Sequence, residues 1–272
     1  MTTSVPEQCE TCPVNPNASL VRHGSMASDA TYVVALSGNP NVGKSTVFNQ
    51  LTGLRQHTGN WPGKTVVRAE GSFSYQGVRY KLVDLPGTYS LLSTSTDEEL
   101  ARDFILFGRP DVTVIVVDAT RLERNLNLVL QVLEITDRAV VCLNLTDEAG
   151  KNGITVDARS LARDLGIPVV PAAARNGTGM AELVRVVHEV ATGAVVCKPK
   201  RFPLDSEKLR GVEELTRRVQ VTFPGLPNAR WVALRLLEAD VRIIEAVRTG
   251  EIGALSQHHV VPEGERELGG TK

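Results

Sequence analysis

Gly38-Asn39-Pro40-Asn41-Val42-Gly43-Lys44-Ser45 is the stretch that decides the fold. It fits G-x-x-x-x-G-K-[ST], a loop whose glycines let the backbone curl until successive N–H groups face phosphate oxygens. The apolar run before it, Tyr32 to Leu36, reads as a buried strand. The run after it, Lys44 to Leu51, reads as a helix whose positive dipole end points at the same anion. Because strand, glycine turn and helix follow in that order, a chance turn before a helix is the weaker reading. Lys44 is expected to reach the β- and γ-phosphates, and Ser45, followed by Thr46, to ligate Mg²⁺.

Further apolar runs recur between helix-like segments: Tyr80 to Val83, Val112 to Val117, Ala139 to Leu143 and Val169 to Val170. Buried parallel strands have this appearance, so the fold class expected is α/β, a P-loop NTPase with a doubly wound, mostly parallel sheet. Val66 to Tyr75, the turn Gln76-Gly77 and Val78 to Val83 form a hairpin pattern, which adds one antiparallel strand at an edge. After about Ala191, Lys198-Pro199-Lys200-Arg201 and Pro203 read as a linker, and helical spacing then dominates. Leu209, Val212, Leu215 and Val219 share one helix face, while Val232, Leu234, Leu236 and Leu237 lead into a second helix, Val241 to Val247. The expected organisation is a disordered leader at 1–30, an α/β domain at 31–195, a small helical subdomain at 196–250 and a disordered tail at 251–272.

With 272 residues, 42% of them apolar, the chain can build such a core without disulfides. A net charge of −1 leaves no clustered basic excess, so nucleic acid is not the expected partner. The longest apolar stretch, Val112 to Val117, is far short of the roughly 20 residues a membrane-spanning helix needs. MTTSVPEQCE lacks the basic and apolar regions of a secretory signal, which points to the cytoplasm and to cysteines held as thiols.

Two further motifs fall at strand ends, where nucleotides bind in such sheets. Asp84-Leu85-Pro86-Gly87 places a carboxylate after the run ending at Val83; Asp84 is expected to act on Mg²⁺ through a coordinated water. Gly87 offers an N–H with no side chain in the way, able to sense a γ-phosphate. Thr65, just beyond the polar span Arg55 to Lys64, could bring a second hydroxyl to the metal from a mobile loop. Asn144-Leu145-Thr146-Asp147 ends another strand, and Asp147 can accept two hydrogen bonds from the guanine ring N–H and amine, which adenine does not offer. Leu145 stands where a lysine is usual, which reduces packing on the base. Ala172-Ala173-Ala174-Arg175 follows the next short strand, and Ala173 and Ala174 are candidates to offer a backbone N–H to the guanine carbonyl.

Taken together, Gly38 to Thr46, the loop Thr58-Gly59-Asn60-Trp61-Pro62-Gly63-Lys64-Thr65-Val66, and Asp84-Leu85-Pro86-Gly87-Thr88-Tyr89-Ser90-Leu91 resemble the FeoB family of ferrous iron transporters. The similarity runs from about Tyr32 through Gly250, since Arg230-Trp231-Val232-Ala233-Leu234-Arg235-Leu236-Leu237-Glu238 is similar to the helical module of that family, associated with slow GDP release. The resemblance implies a GTPase that regulates Fe²⁺ passage through a membrane-embedded permease domain, in the same or a separate polypeptide, at the inner face of the cell membrane. A second copy of the chain also counts among its candidate partners. Thr88 stands where many GTPases keep a water-orienting glutamine, so turnover without help is expected to be slow. The resemblance implies the help: Asn41, with backbone carbonyls near Gly59 and Trp61, would cage a K⁺ that acts as an arginine finger does. Asn41 as a simple turn residue is the competing reading.

Other signals are weaker. Cys9-Glu10-Thr11-Cys12, with His23 nearby, has half-site spacing but no second pair to close a tetrahedral zinc site. Cys142 reads as core, His57 as a solvated loop residue, and Trp61 either shields the nucleotide or packs on the sheet. Two alternatives to the iron-transport GTPase remain: a free-standing bacterial GTPase of ribosome assembly, and a nucleotide switch with little hydrolysis. The first normally needs a basic appendage, whereas Arg217, Arg218 and Arg235 here are interleaved with Glu213, Glu214 and Glu238.

Overall fold

In a computed structural model of the 272-residue chain, residues 32–54, 56–61, 66–92, 95–201, 204–226 and 228–253 are described. The leader, the Cys9/Cys12 pair and Thr65 lie outside those residues. The chain divides into two compact units between residues 203 and 204.

The first unit is a seven-stranded sheet with helices between its strands. In chain order it comprises β1 (Tyr32–Gly38), α1 (Lys44–Thr52), β2 (Gln56–Asn60), β3 (Val67–Tyr75), β4 (Val78–Asp84), α2 (Thr96–Phe107) and β5 (Val112–Asp118), continuing with α3 (Leu122–Ile135), β6 (Ala139–Asn144), α4 (Thr146–Lys151), α5 (Ala158–Leu165), β7 (Val169–Pro171) and α6 (Met180–Thr192). The strand order is β2-β3-β4-β1-β5-β6-β7. The strands β4, β1, β5, β6 and β7 are mutually parallel, and β3 runs antiparallel to both β4 and β2. The mostly parallel sheet with an antiparallel edge is therefore as expected. The hairpin turn is also where the sequence puts it, with Gln76 and Gly77 both at positive φ (49° and 78°), the geometry of the tight turns that match strand twist.

One element is new. Gln56–Asn60, inside the span read as a mobile loop, forms an edge strand registered on β3 from Gln56↔Gly71 to Asn60↔Val67. Residues 57–60 are exposed and no apolar run marks the strand; the hydrogen-bond ladder offered by β3 defines it.

The central strands are apolar throughout because helices cover both faces. Val34, Leu36, Val114, Val116, Val140 and Cys142 point to the face covered by α1 and α6, whose Val47, Phe48, Leu183, Val187 and Val190 complete that core. Local chemistry starts and stops the helices. Ser95 caps α2 by accepting from the Glu98 N–H at 3.2 Å, and Asp157 caps α5 by accepting from Arg159 and Ser160 at 3.0 Å each. Gly166 ends α5 at φ +74°, packed against the Lys198 carbonyl so closely that no Cβ would fit.

That contact revises the linker. Lys198 N–H donates to Gly166 O and Lys200 N–H to Leu165 O, both at 2.9 Å, and the Arg201 guanidinium reaches Asp137 at 2.6 Å and Leu133 O at 3.2 Å. The segment Lys198 to Arg201, read from the sequence as part of a linker, is laced onto the α/β unit.

The second unit contains α7 (Ser206–Thr222), α8 (Ala229–Leu237) and α9 (Val241–Arg248). Val212, Val219, Trp231, Val232 and Ile243 are buried, but Leu209, read on the same helix face as Val212 and Val219, is 40% exposed, and Leu237 is 50% exposed. The run before Val241 is its own helix, broken from α9 at Ala239 (φ +57°), with Asp240 capping α9 through the Ile243 N–H. Glu251–Gly253, assigned to the disordered tail, belong to this unit: Ile252 is fully buried, and Glu251 takes a two-armed ion pair from Arg242 at 2.7 Å. The remainder of the tail lies outside the described residues.

Candidate functional site

Three loops meet at the C-terminal edge of the parallel strands: 38–43 after β1, 85–91 after β4, and the pair 144–147 and 172–176 after β6 and β7. The first must turn from strand to helix in a few residues. Asn41 (φ +66°) and Gly43 (φ +82°) adopt the left-handed conformation, and Gly38 lies so near β5 that an added Cβ would stand 2.6 Å from Val116 O. At Gly43 a Cβ would collide with Asn144 Nδ2. Glycine is thus required twice, once for space and once for both space and dihedral. Val42 is buried, anchoring the loop in the core, while Asn41 and Ser45 are exposed and Lys44 and Thr46 half-buried.

Lys44 Nζ makes a short ion pair with Asp84 Oδ1, which brings the end of β4 to the N-terminus of α1. Burial raises the Asp84 carboxyl above its usual pKa, and the charge and hydrogen bond of Lys44 oppose that shift without cancelling it. A lysine and a carboxylate side by side, with an exposed serine hydroxyl next in the chain, match the donor set for a Mg²⁺-bound phosphate chain. The following turn is pinned to the first loop: Thr88 N–H donates to Gly38 O at 3.3 Å, and Gly87 packs on Pro40. Farther on, Gln131 of α3 holds it by accepting from Leu91 N–H at 2.6 Å and Ser90 Oγ at 3.2 Å. Gln131 has no signature in the sequence, being one polar residue of an amphipathic helix 40 positions away.

The base loops are sewn together from inside. Asn144, 1% exposed, donates from Nδ2 to Val42 O at 2.9 Å and accepts at Oδ1 from Ala174 N–H at 3.0 Å. Thr146, which sequence reasoning passed over, donates from Oγ1 and N–H to Ala172 O at 2.9 and 3.2 Å. Asn144 is therefore the joint that sets the phosphate loop against the base loop. Asp147 stands half-buried in the first turn of α4, just after Leu145 at φ +62°. The amides expected to meet a guanine carbonyl are both engaged within the protein, Ala173 N–H with Thr178 O (3.1 Å) and Ala174 N–H with Asn144. The next amide, that of Arg175, has no such partner among the described residues.

The Trp61 side chain settles one alternative by its burial. It is 1% exposed, edge-on to Phe104 at 5.6 Å between centroids, with the Arg68 guanidinium 4.9 Å over its ring. It packs against Phe104 and Arg68, the second of the two readings. Gly59 lies in β2, with His57 exposed on the same strand. Cys142 is core, its thiol pushed up to about 12 by burial. Among the described residues no cluster of His, Cys, Asp and Glu could hold a metal by itself, and no helix is long and apolar enough to cross a membrane.

Residues 32–187 match the family model for the N-terminal region of ferrous iron transport protein B. The Fe(2+) transporter FeoB of Salmonella typhimurium is 43% identical over 213 residues, which is 76% of this chain and 27% of that protein. The chain thus spans about a quarter of the length of the curated relatives it matches. Among solved structures, the cytosolic domain of L. pneumophila FeoB is 33% identical with a TM-score of 0.73, covering 83% of this chain and 88% of that one. The cytosolic domain of the T. maritima FeoB iron transporter in a GDP form is 34% identical with a TM-score of 0.69, covering 84% and 95%.

Proposed function

The chain belongs to the FeoB ferrous iron transport family, and from that premise we propose that it binds and hydrolyses GTP as the regulatory domain of a ferrous iron transport system. The observation that supports this reading is the Asn144 joint, which ties Val42 of the phosphate loop to Ala174 of the base loop, with the Lys44–Asp84 pair at the same sheet edge. The iron-transport role rests on the relatives' names. Its partner would be a membrane-embedded permease domain, and its place the cytoplasmic face of the membrane.

In this mechanism the backbone N–H groups of residues 41–43 and the dipole of α1 hold the β-phosphate, and Lys44 leaves Asp84 to pair with the β- and γ-phosphates. Asp147 accepts from the guanine ring and amine, while the Arg175 N–H meets the carbonyl. Gly87 N–H faces the γ-phosphate, so the turn it sits in reports whether that group is present. Ser45, Asp84 and, from the segment outside the described residues, Thr65 would hold Mg²⁺, which supplies charge stabilisation at phosphoryl oxygens when bound. Asn41, exposed and free of protein partners among the described residues, is the proposed side-chain ligand for a K⁺ that offsets developing charge where Thr88 replaces a glutamine.

Calorimetric titration tests the nucleotide assignment. GDP and GTP should bind with Mg²⁺ while ATP does not, and Asp147→Ala should lose at least about tenfold in guanine affinity, the cost of an unpaired base edge. Equal affinity for ATP and GTP would remove the guanine reading.

A further inference from the structure

The two asparagines of the phosphate loop have opposite surroundings. Asn41 is exposed, whereas Asn39 is 2% exposed, and among the described residues neither its Nδ2 nor its Oδ1 has a hydrogen-bond partner. Its chain neighbours locate it. Gly38 O, on one side, accepts from Thr88 N–H at 3.3 Å; Pro40, on the other, lies under Gly87, where an added Cβ would stand 3.5 Å away. Asn39 is thus bracketed by two contacts with the same turn. In that turn Thr88 is 3% exposed, and its hydroxyl is also buried without a partner.

Buried polar side chains in folded proteins are satisfied by protein or by ordered water, and an internal water needs two to four polar partners. An asparagine carries donors and acceptors together, and a threonine hydroxyl can act as either. We propose that Asn39 and Thr88 share a buried water, and that this joint holds the Gly87-Thr88 turn on the phosphate loop. Asn39 is then a positioning residue for the turn that senses the γ-phosphate, and not a nucleotide ligand. The functional consequence rests on the GTPase reading; the joint itself does not. Hydrolysis depends on the placement of Gly87 N–H, whereas GDP, lacking the γ-phosphate, makes no demand on that turn.

Asn39→Ala, Thr88→Val and the double variant form a cycle that can be read twice. In urea denaturation of the nucleotide-free protein, the double variant should be no less stable than the weaker single one, because either change breaks the same joint. In single-turnover GTP hydrolysis each single variant should be slowed about tenfold, with GDP affinity held within about twofold, and Thr88→Ser should recover the rate. Additive losses in the urea cycle would overturn the joint, whether or not the protein hydrolyses GTP. GDP affinity falling in step with hydrolysis would overturn the positioning role and return Asn39 to the nucleotide. A wild-type protein without turnover would refute the GTPase reading alone, with the urea cycle still deciding the joint.

Discussion

Asp84 stands under two opposed demands. Burial raises its carboxyl pKa in the folded chain, so its contribution to stability is present below the unfolded carboxylate range and is lost as pH rises through the raised folded value. Ionising Asp84 therefore costs the nucleotide-free protein stability. Asp84→Asn should raise the melting temperature of the nucleotide-free protein at about pH 7, with the gain shrinking toward about pH 4, while Mg²⁺ no longer tightens nucleotide binding. A loss of melting temperature at pH 7 would mean that the Lys44 pairing outweighs desolvation. Asn144 is the opposite case, since both ends of its buried amide are bonded within the protein. Asn144→Ala should cost roughly 2–4 kcal/mol in chemical denaturation, as two buried backbone groups lose their partner. A cost near zero would refute its place as the joint. At this scale the sequence marks residues more readily than it shows their partners. Asn144, Ala173 and Ala174 were marked by motif, but only packing reveals that their polar groups are engaged within the protein, Asn144 with Val42 and Ala174, and Ala173 with Thr178.

Elements were legible where burial is two-sided. Val112–Asp118 and Ala139–Asn144 are apolar because helices cover both faces, and such runs are visible without any partner in view. β2 was not legible, because a polar edge strand has no pattern of its own and exists through its pairing with β3. Likewise the break between α8 and α9 depends on a single left-handed residue, Ala239, which no hydropathy pattern marks. The edge position has a dynamic consequence. With one neighbour and exposed side chains, β2 should open far more easily than the core, so its amides should exchange at least about a hundredfold faster than those of β5 in native-state hydrogen exchange. Equal protection would show that β2 is as stable a part of the sheet as its core.

The whole molecule divides more sharply than its sequence does. Composition shifts after about Ala191, but the lacing of Lys198, Lys200 and Arg201 onto Gly166, Leu165 and Asp137 carries the α/β unit on toward 203. Ending a fragment at 195 should expose that seam, whereas one ending at 203 should unfold cooperatively and keep its guanine affinity. If both fragments unfold alike by calorimetry, the laced segment contributes nothing to the unit. Above these details stands the proposal that the sheet edge hydrolyses GTP with potassium in place of a glutamine. Single-turnover GTP hydrolysis, measured in matched KCl and NaCl buffers with Mg²⁺ and with an Asn41→Ala variant alongside, tests it most directly. The account predicts at least about tenfold faster turnover in KCl, a gain that Asn41→Ala abolishes; equal rates in the two salts would contradict it.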